Sequence, residues 1–110
     1  MESSDPVLLV TTTAGSREEA EEISQRCVSE RLAACAQLSG PLTSIYWWKG
    51  MMHSESEWKV TLKSFKSLER RLFTRICELH PYEVPEIICV MAETVSDAYL
   101  EWMDSNLRET

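Results

Sequence analysis

The chain is short of the residues that most catalytic and ligand-cradling motifs require. It has three glycines and two histidines in 110 residues. Three scattered glycines cannot build a phosphate-binding loop of the Walker type, whose amides need a Gly-rich turn to reach the phosphates. No serine or cysteine sits in a nucleophile-elbow context. The four cysteines, at 27, 35, 77 and 89, contain no C-x-x-C pair, which argues against zinc-ribbon and thioredoxin-like readings. The longest purely apolar run, Ile87 to Ala92, falls far short of the ~20 residues of a membrane span. Basic residues are few: 11 Lys and Arg stand against 18 Asp and Glu, a net charge of −7. Phosphate binding needs clustered Lys and Arg, so the charge argues against a nucleic-acid partner and disfavours an anionic membrane surface. The opening Met1-Glu2-Ser3-Ser4-Asp5-Pro6 is acidic with no apolar core behind it. The expectation is therefore no secretory signal, no membrane insertion and a cytoplasmic chain with reduced cysteines.

What remains is an ordinary globular composition, 44% hydrophobic and 26% charged, long enough for one domain over 1–110 with a real core. Pro6 to Thr12 reads as a strand. Ser16-Arg17-Glu18-Glu19 reads as a capping box, the Ser16 hydroxyl accepting from the Glu19 amide and the Glu19 carboxylate reaching back. Ala20, Ile23, Cys27 and Val28 continue at helical spacing. Glu18, Glu19, Glu21 and Glu22 form a solvated helix face, well placed for the helix dipole. Leu32–Leu38 and the aromatic Thr43–Lys49 read as strand segments separated by a bend at Gly40-Pro41, with a hairpin turn at Gly50. Glu57–Ser64 alternates, with Trp58, Val60 and Leu62 on one face. Ser67 is expected to cap a helix striped by Leu68, Leu72, Ile76 and Leu79. Glu86–Glu93 is a strand, and Ser96 caps a last helix with Tyr99, Leu100, Met103 and Leu107 inward. Cys27 and Cys89 fall on apolar stripes, and core packing is expected for Cys35 and Cys77 as well.

The order β-α-β-β-α-β-α is that of the ferredoxin-like, split βαβ fold: an α+β domain with two helices on one face of a four-stranded antiparallel sheet, followed by a C-terminal helix. The other sheet face then needs a cover. Trp47 or Trp48, depending on register, points to it, with some of Leu42, Ile88 and Val90. An exposed apolar face of that size predicts oligomerisation.

The candidate site is His80-Pro81-Tyr82-Glu83-Val84-Pro85-Glu86. Two prolines fix φ, and His80 and Val84, each before a proline, are pushed toward extended backbone. The loop thus holds His80, Tyr82, Glu83 and Glu86 in a limited set of directions. Imidazole with carboxylates suits copper(II), zinc or another first-row divalent ion. Met51-Met52-His53 offers soft ligands of the kind copper(I) accepts. Adjacent strand residues alternate sides, however, so packing is the better reading there. No pair of acids stands out for acid–base catalysis, and an enzyme is the weaker hypothesis.

Five blocks carry a resemblance: Leu32-Ala33-Ala34-Cys35-Ala36, Ile45-Tyr46-Trp47-Trp48-Lys49-Gly50, Leu62-Lys63-Ser64, His80 through Ile87, and Tyr99-Leu100-Glu101-Trp102. In order and spacing they resemble the CutA family of divalent-cation tolerance proteins, from about Val7 to Leu107. The resemblance implies a ferredoxin-like homotrimer and tolerance of copper and other divalent metals. It also implies kinship with the trimeric PII signal proteins, which bind effectors between subunits, and no defined catalytic activity. His80 and Glu83 match the family's HPYE motif and Cys35 its LAACA cysteine. Together with Glu86 they make the expected metal set. Trp48 and Lys49 match the strand that reaches toward a neighbouring subunit, and with Tyr82 they are the expected residues for a small effector at the subunit boundary. Two departures bear on a copper site and leave the fold untouched. Thr11-Thr12-Thr13 stands where some members carry a copper-linked cysteine, and Met51-Met52 where the hairpin tip is usually polar or charged. Animal relatives are tied to anchoring a membrane cholinesterase, which makes a trimeric scaffold the alternative.

Overall fold

Alternation governs the first strand, β1 (Val7–Ala14). Leu8, Val10, Thr12 and Ala14 are fully buried on one side, and the chain then turns at Gly15 into helix α1 (Arg17–Ser29). The computed structural model describes residues 5–107, so Met1 to Ser4 of the N-terminal segment read above lie outside the described residues. Ser16 caps α1 as expected, its hydroxyl accepting from the Glu19 amide at 3.1 Å. The return bond differs: the Glu19 carboxylate accepts from the Gly15 amide at 3.2 Å, one residue earlier than a capping box requires. The helix closes with Arg31 in the left-handed region (φ 61), where the Leu32 and Ala33 amides both donate to the Cys27 carbonyl.

Two long strands follow, β2 (Cys35–Trp48) and β3 (Met51–Phe65). They pair antiparallel from Cys35↔Lys63 to Trp48↔Met51. The two segments expected either side of Gly40-Pro41 are one strand whose register shifts between Ser39 and Leu42. Gly40 is required there: its φ is +156, and a Cβ would sit 2.9 Å from the Trp58 ring. Lys49 and Gly50 make the hairpin turn with both φ positive (51 and 80), the backbone twist that matches two-residue hairpins.

After Phe65 a short 3₁₀ turn (Lys66–Leu68) leads into α2 (Glu69–Leu79). Ser67 does not cap that helix. It lies in the 3₁₀ turn, and its amide and hydroxyl both donate to the Asp5 carboxylate at 2.9 and 2.7 Å. β4 (Ile87–Met91) and α3 (Asp97–Leu107) complete the chain. The sheet order is β2-β3-β1-β4, all antiparallel, which is the expected ferredoxin-like topology.

The main core lies between the sheet and helices α1 and α2, centred on Leu8, Val10, Ile23, Val60, Leu62, Leu72 and Ile76. A second, smaller cluster forms where α3 seats Met103 on Val7 and Phe65. These residues alternate with Leu8 and Ser64, so α3 covers one end of the face opposite α1 and α2. The rest of that face stays open, with Leu42, Ile88 and Val90 exposed as expected. The β2–β3 hairpin runs on past the other elements as an arm, and the molecule measures 51 × 25 × 22 Å. Cys27 is buried, and burial raises its thiol to about 11. Cys89 is half-buried and packs on the main core, whereas Cys35 is half-buried outside both clusters and Cys77 is exposed, which corrects the core placement expected for Cys35 and Cys77.

One polar atom in the core has no partner among the described residues: Thr12 Oγ1, on a fully buried residue of β1. A buried hydroxyl without a hydrogen bond costs about 1–3 kcal/mol. Thr12→Val is expected to raise the stability by about 1 kcal/mol, read as a higher denaturation midpoint at unchanged slope. A lower midpoint would show that the hydroxyl has a partner.

Candidate functional site

The loop after α2 is fixed by its own backbone. His80 ends the helix in extended conformation (φ −86, ψ 132), as the following proline demands. Its ring is buried, and both nitrogens are engaged. Nε2 donates to the Thr13 carbonyl, and Nδ1 accepts from the Tyr82 amide at 3.2 Å. Since the carbonyl can only accept and the amide only donate, the imidazole is held as the Nε2–H tautomer. The His80 ring also packs on Tyr82 at 4.6 Å between centroids. His80 therefore ties the loop to the end of β1.

That tie delivers Tyr82 across the open face, where its hydroxyl donates to Glu57 Oε2 at 2.9 Å. Gly15 lies below it, where a Cβ would come within 3.2 Å of the Tyr82 hydroxyl and press on it. Loop and hairpin arm together enclose a cleft of about 900 Å³. Its walls carry Thr13 and Gly15 from the end of β1 and its turn, Ser44, Ile45, Tyr46 and Trp48 from β2, Glu55, Ser56 and Glu57 from β3, and Tyr82, Glu83, Val84 and Glu86 from the loop. No Lys, Arg or His is among them. The negative field is felt by both phenols. Burial raises Tyr82 first, and the hydrogen bond to Glu57 adds to it. Burial also raises Tyr46, followed by the charges of Glu55 and Glu57.

Four of the residues singled out from the sequence, Trp48, Tyr82, Glu83 and Glu86, thus share one cleft. Register decides between the two tryptophans: Trp48 pairs with Met51 on the cleft side and Trp47 with Met52 on the other. Lys49 does not line the cleft. Its Nζ sits 5.7 Å from the Trp48 ring centroid. The expected metal set is not assembled. His80 has no free nitrogen, and Cys35 lies beside Lys63, four residues along β3 from the Lys59 that faces Thr13. Among the described residues no three His, Cys, Asp or Glu come close enough to hold an ion. Met51 and His53 share one face of the arm and Met52 takes the other, as alternation requires. Tyr46 stacks on His53 at 5.6 Å.

Sequence reasoning missed Glu57, Glu55, Tyr46, Ser44 and Gly15. Glu57 is the most consequential, and only the strand register could have found it. The shift at Gly40 pairs Leu42 with Glu57 and aims both at the open face.

The fold and cleft define a class: a ferredoxin-like α+β domain with a projecting hairpin and an acidic, aromatic-walled cleft where the arm meets a proline-stiffened loop. The family model for the CutA1 divalent ion tolerance protein matches residues 8–106, and the chain belongs to that family. A probable divalent-cation tolerance protein of Encephalitozoon cuniculi is 45% identical over 101 residues, covering 92% of this chain and 88% of the relative. The divalent-cation tolerance protein CutA of Pyrococcus horikoshii is 38% identical over 97 residues, covering 88% and 94%. Among solved structures, CutA from Xylella fastidiosa superposes with a TM-score of 0.90 at 33% identity, covering 93% and 98%. CutA1 from Oryza sativa superposes at 0.90 and 30%, covering 96% of each chain.

Proposed function

We propose that the chain acts in divalent-cation tolerance as a cytoplasmic, non-enzymatic homotrimer. On this reading it binds a small effector in the cleft at the subunit boundary, in the manner the resemblance to PII proteins implies. The observation that carries the reading is the arm. Ile45 (68%), Trp47 (71%) and Met52 (66%) are exposed along it, and large apolar side chains exposed together are the mark of an interaction surface. Its place in the cytoplasm is supported by the four cysteines, which stand as free thiols.

The charge of the cleft shapes the effector. Four glutamates and no base disfavour an anionic ligand and favour a cation. A resident copper ion is not supported within one chain, because His80 spends both ring nitrogens on backbone groups. Light scattering of the untagged protein at low micromolar concentration tests the assembly. The expected mass is three times the 12.7 kDa chain, and an interface of this kind buries more than ~2,000 Å² in all. A 12.7 kDa species would overturn the reading.

A further inference from the structure

His80 does more than hold the loop in place. Its ring is 8% exposed, and neither nitrogen is left for a ligand, since Nε2 donates to the Thr13 carbonyl and Nδ1 accepts from the Tyr82 amide. The ring can still take a proton, and only at Nδ1, because Nε2 already carries one. That proton would point at the Tyr82 N–H, a donor facing a donor. The imidazolium and the closed loop therefore exclude one another.

The loop has little else to hold it. Among the described residues, residues 81–86 make two hydrogen bonds, both through Tyr82: its amide to His80 and its hydroxyl to Glu57 at 2.9 Å. The two are coupled, because the Tyr82 ring that carries the hydroxyl packs on the imidazole at 4.6 Å between centroids. The groups that face this joint from the elements around it are Glu57 of β3, Glu19 of α1 and Tyr46 of β2, all of which act on Tyr82. Glu83 and Glu86 of the loop itself line the cleft beside it, and no Lys or Arg does. An imidazolium released from the joint thus has acids, not cations, for neighbours, and these favour its charge.

We infer that His80 is an acid-operated release for the loop. A proton taken from water at Nδ1 breaks the bond from the Tyr82 amide, and residues 81–86 part from the cleft, drawing Tyr82 off Glu57. The closed loop holds the imidazole neutral and the open loop lets it carry the proton. The open population therefore grows as the pH falls and shrinks as it rises. The cleft loses one wall in acid, whatever it binds.

Hydrogen exchange of the full-length protein tests the release, followed from about pH 8 to about pH 5, the range in which histidines change charge. Protection of the Tyr82 amide, corrected for intrinsic exchange, is expected to fall about tenfold or more in acid and to recover on return. The amides of Leu72 and Ile76, buried in α2, should keep theirs. Nitrogen NMR shifts of the His80 ring should show Nδ1 taking its proton over the same step. His53→Gln, which removes the other histidine of the chain, should leave the step unchanged, and so should Glu57→Gln. His80→Gln, which cannot titrate, should abolish it. A step that survives in His80→Gln, a ring that stays neutral through the step, or a loop that stays protected once the ring is protonated would overturn the inference. Light scattering on the same samples guards the reading, and loss of protection that follows a change of mass instead of the His80 signal would overturn it too.

Discussion

Trp47→Glu is expected to convert the proposed homotrimer into 12.7 kDa monomers at low micromolar concentration. Trp47 is the most exposed large apolar residue among the described residues, at 71%, and it lies on the side of the arm away from the cleft. A tryptophan anchored at the centre of an interface is worth about 2–4 kcal/mol on truncation. A trimer loses that amount at three equivalent places and also gains three desolvated carboxylates. Folding of the single chain should survive, because the residue touches neither apolar cluster. Light scattering reads the mass, and far-ultraviolet circular dichroism checks that the monomer is folded. An unchanged trimer would place the interface elsewhere, on the open face around Ile88 and Val90.

His80→Ala should cost about 2–4 kcal/mol of unfolding free energy, because it removes two hydrogen bonds and leaves a cavity at a buried position. The bonds lost are Nε2–H to the Thr13 carbonyl and the Tyr82 amide to Nδ1. Tyr82→Phe offers the contrast. It keeps the ring on His80 and loses only the hydroxyl bond to Glu57, so about 1–2 kcal/mol is expected, mainly from leaving Glu57 without a donor. Denaturant titration of the two variants decides the order. If His80→Ala were the milder change, the imidazole would not be the joint between loop and strand.

Element types were legible because they depend on local periodicity. The apolar spacing of Leu68, Leu72, Ile76 and Leu79 marks a helix stripe wherever it occurs, and all four are buried or packed on the core. Alternation did the same for Trp58, Val60 and Leu62. Ser16 and Ser96 capped the helices they precede. Ser67 did not, because Asp5, 62 residues away in sequence, took its hydroxyl. Cys77 misled because its helix has one buried stripe, carrying Leu72 and Ile76, and the next residue faces out.

The sequence by itself determined the elements, their order and therefore the ferredoxin-like topology, and through its two prolines it marked the loop that reaches the cleft. Those features follow from backbone restriction and short-range spacing, which a linear chain carries openly. Only the tertiary structure decided what the loop meets. A one-residue shift of register at Gly40 turns Tyr46, Trp48 and Glu57 to the same face, and a shift of that size reverses every side chain beyond it. His80, read as a metal ligand, became a structural joint because β1 brought the Thr13 carbonyl to its second nitrogen. A hydrogen-bonding group commits itself to whichever partner the fold places beside it, and that placement is settled by pairing between segments far apart in the chain.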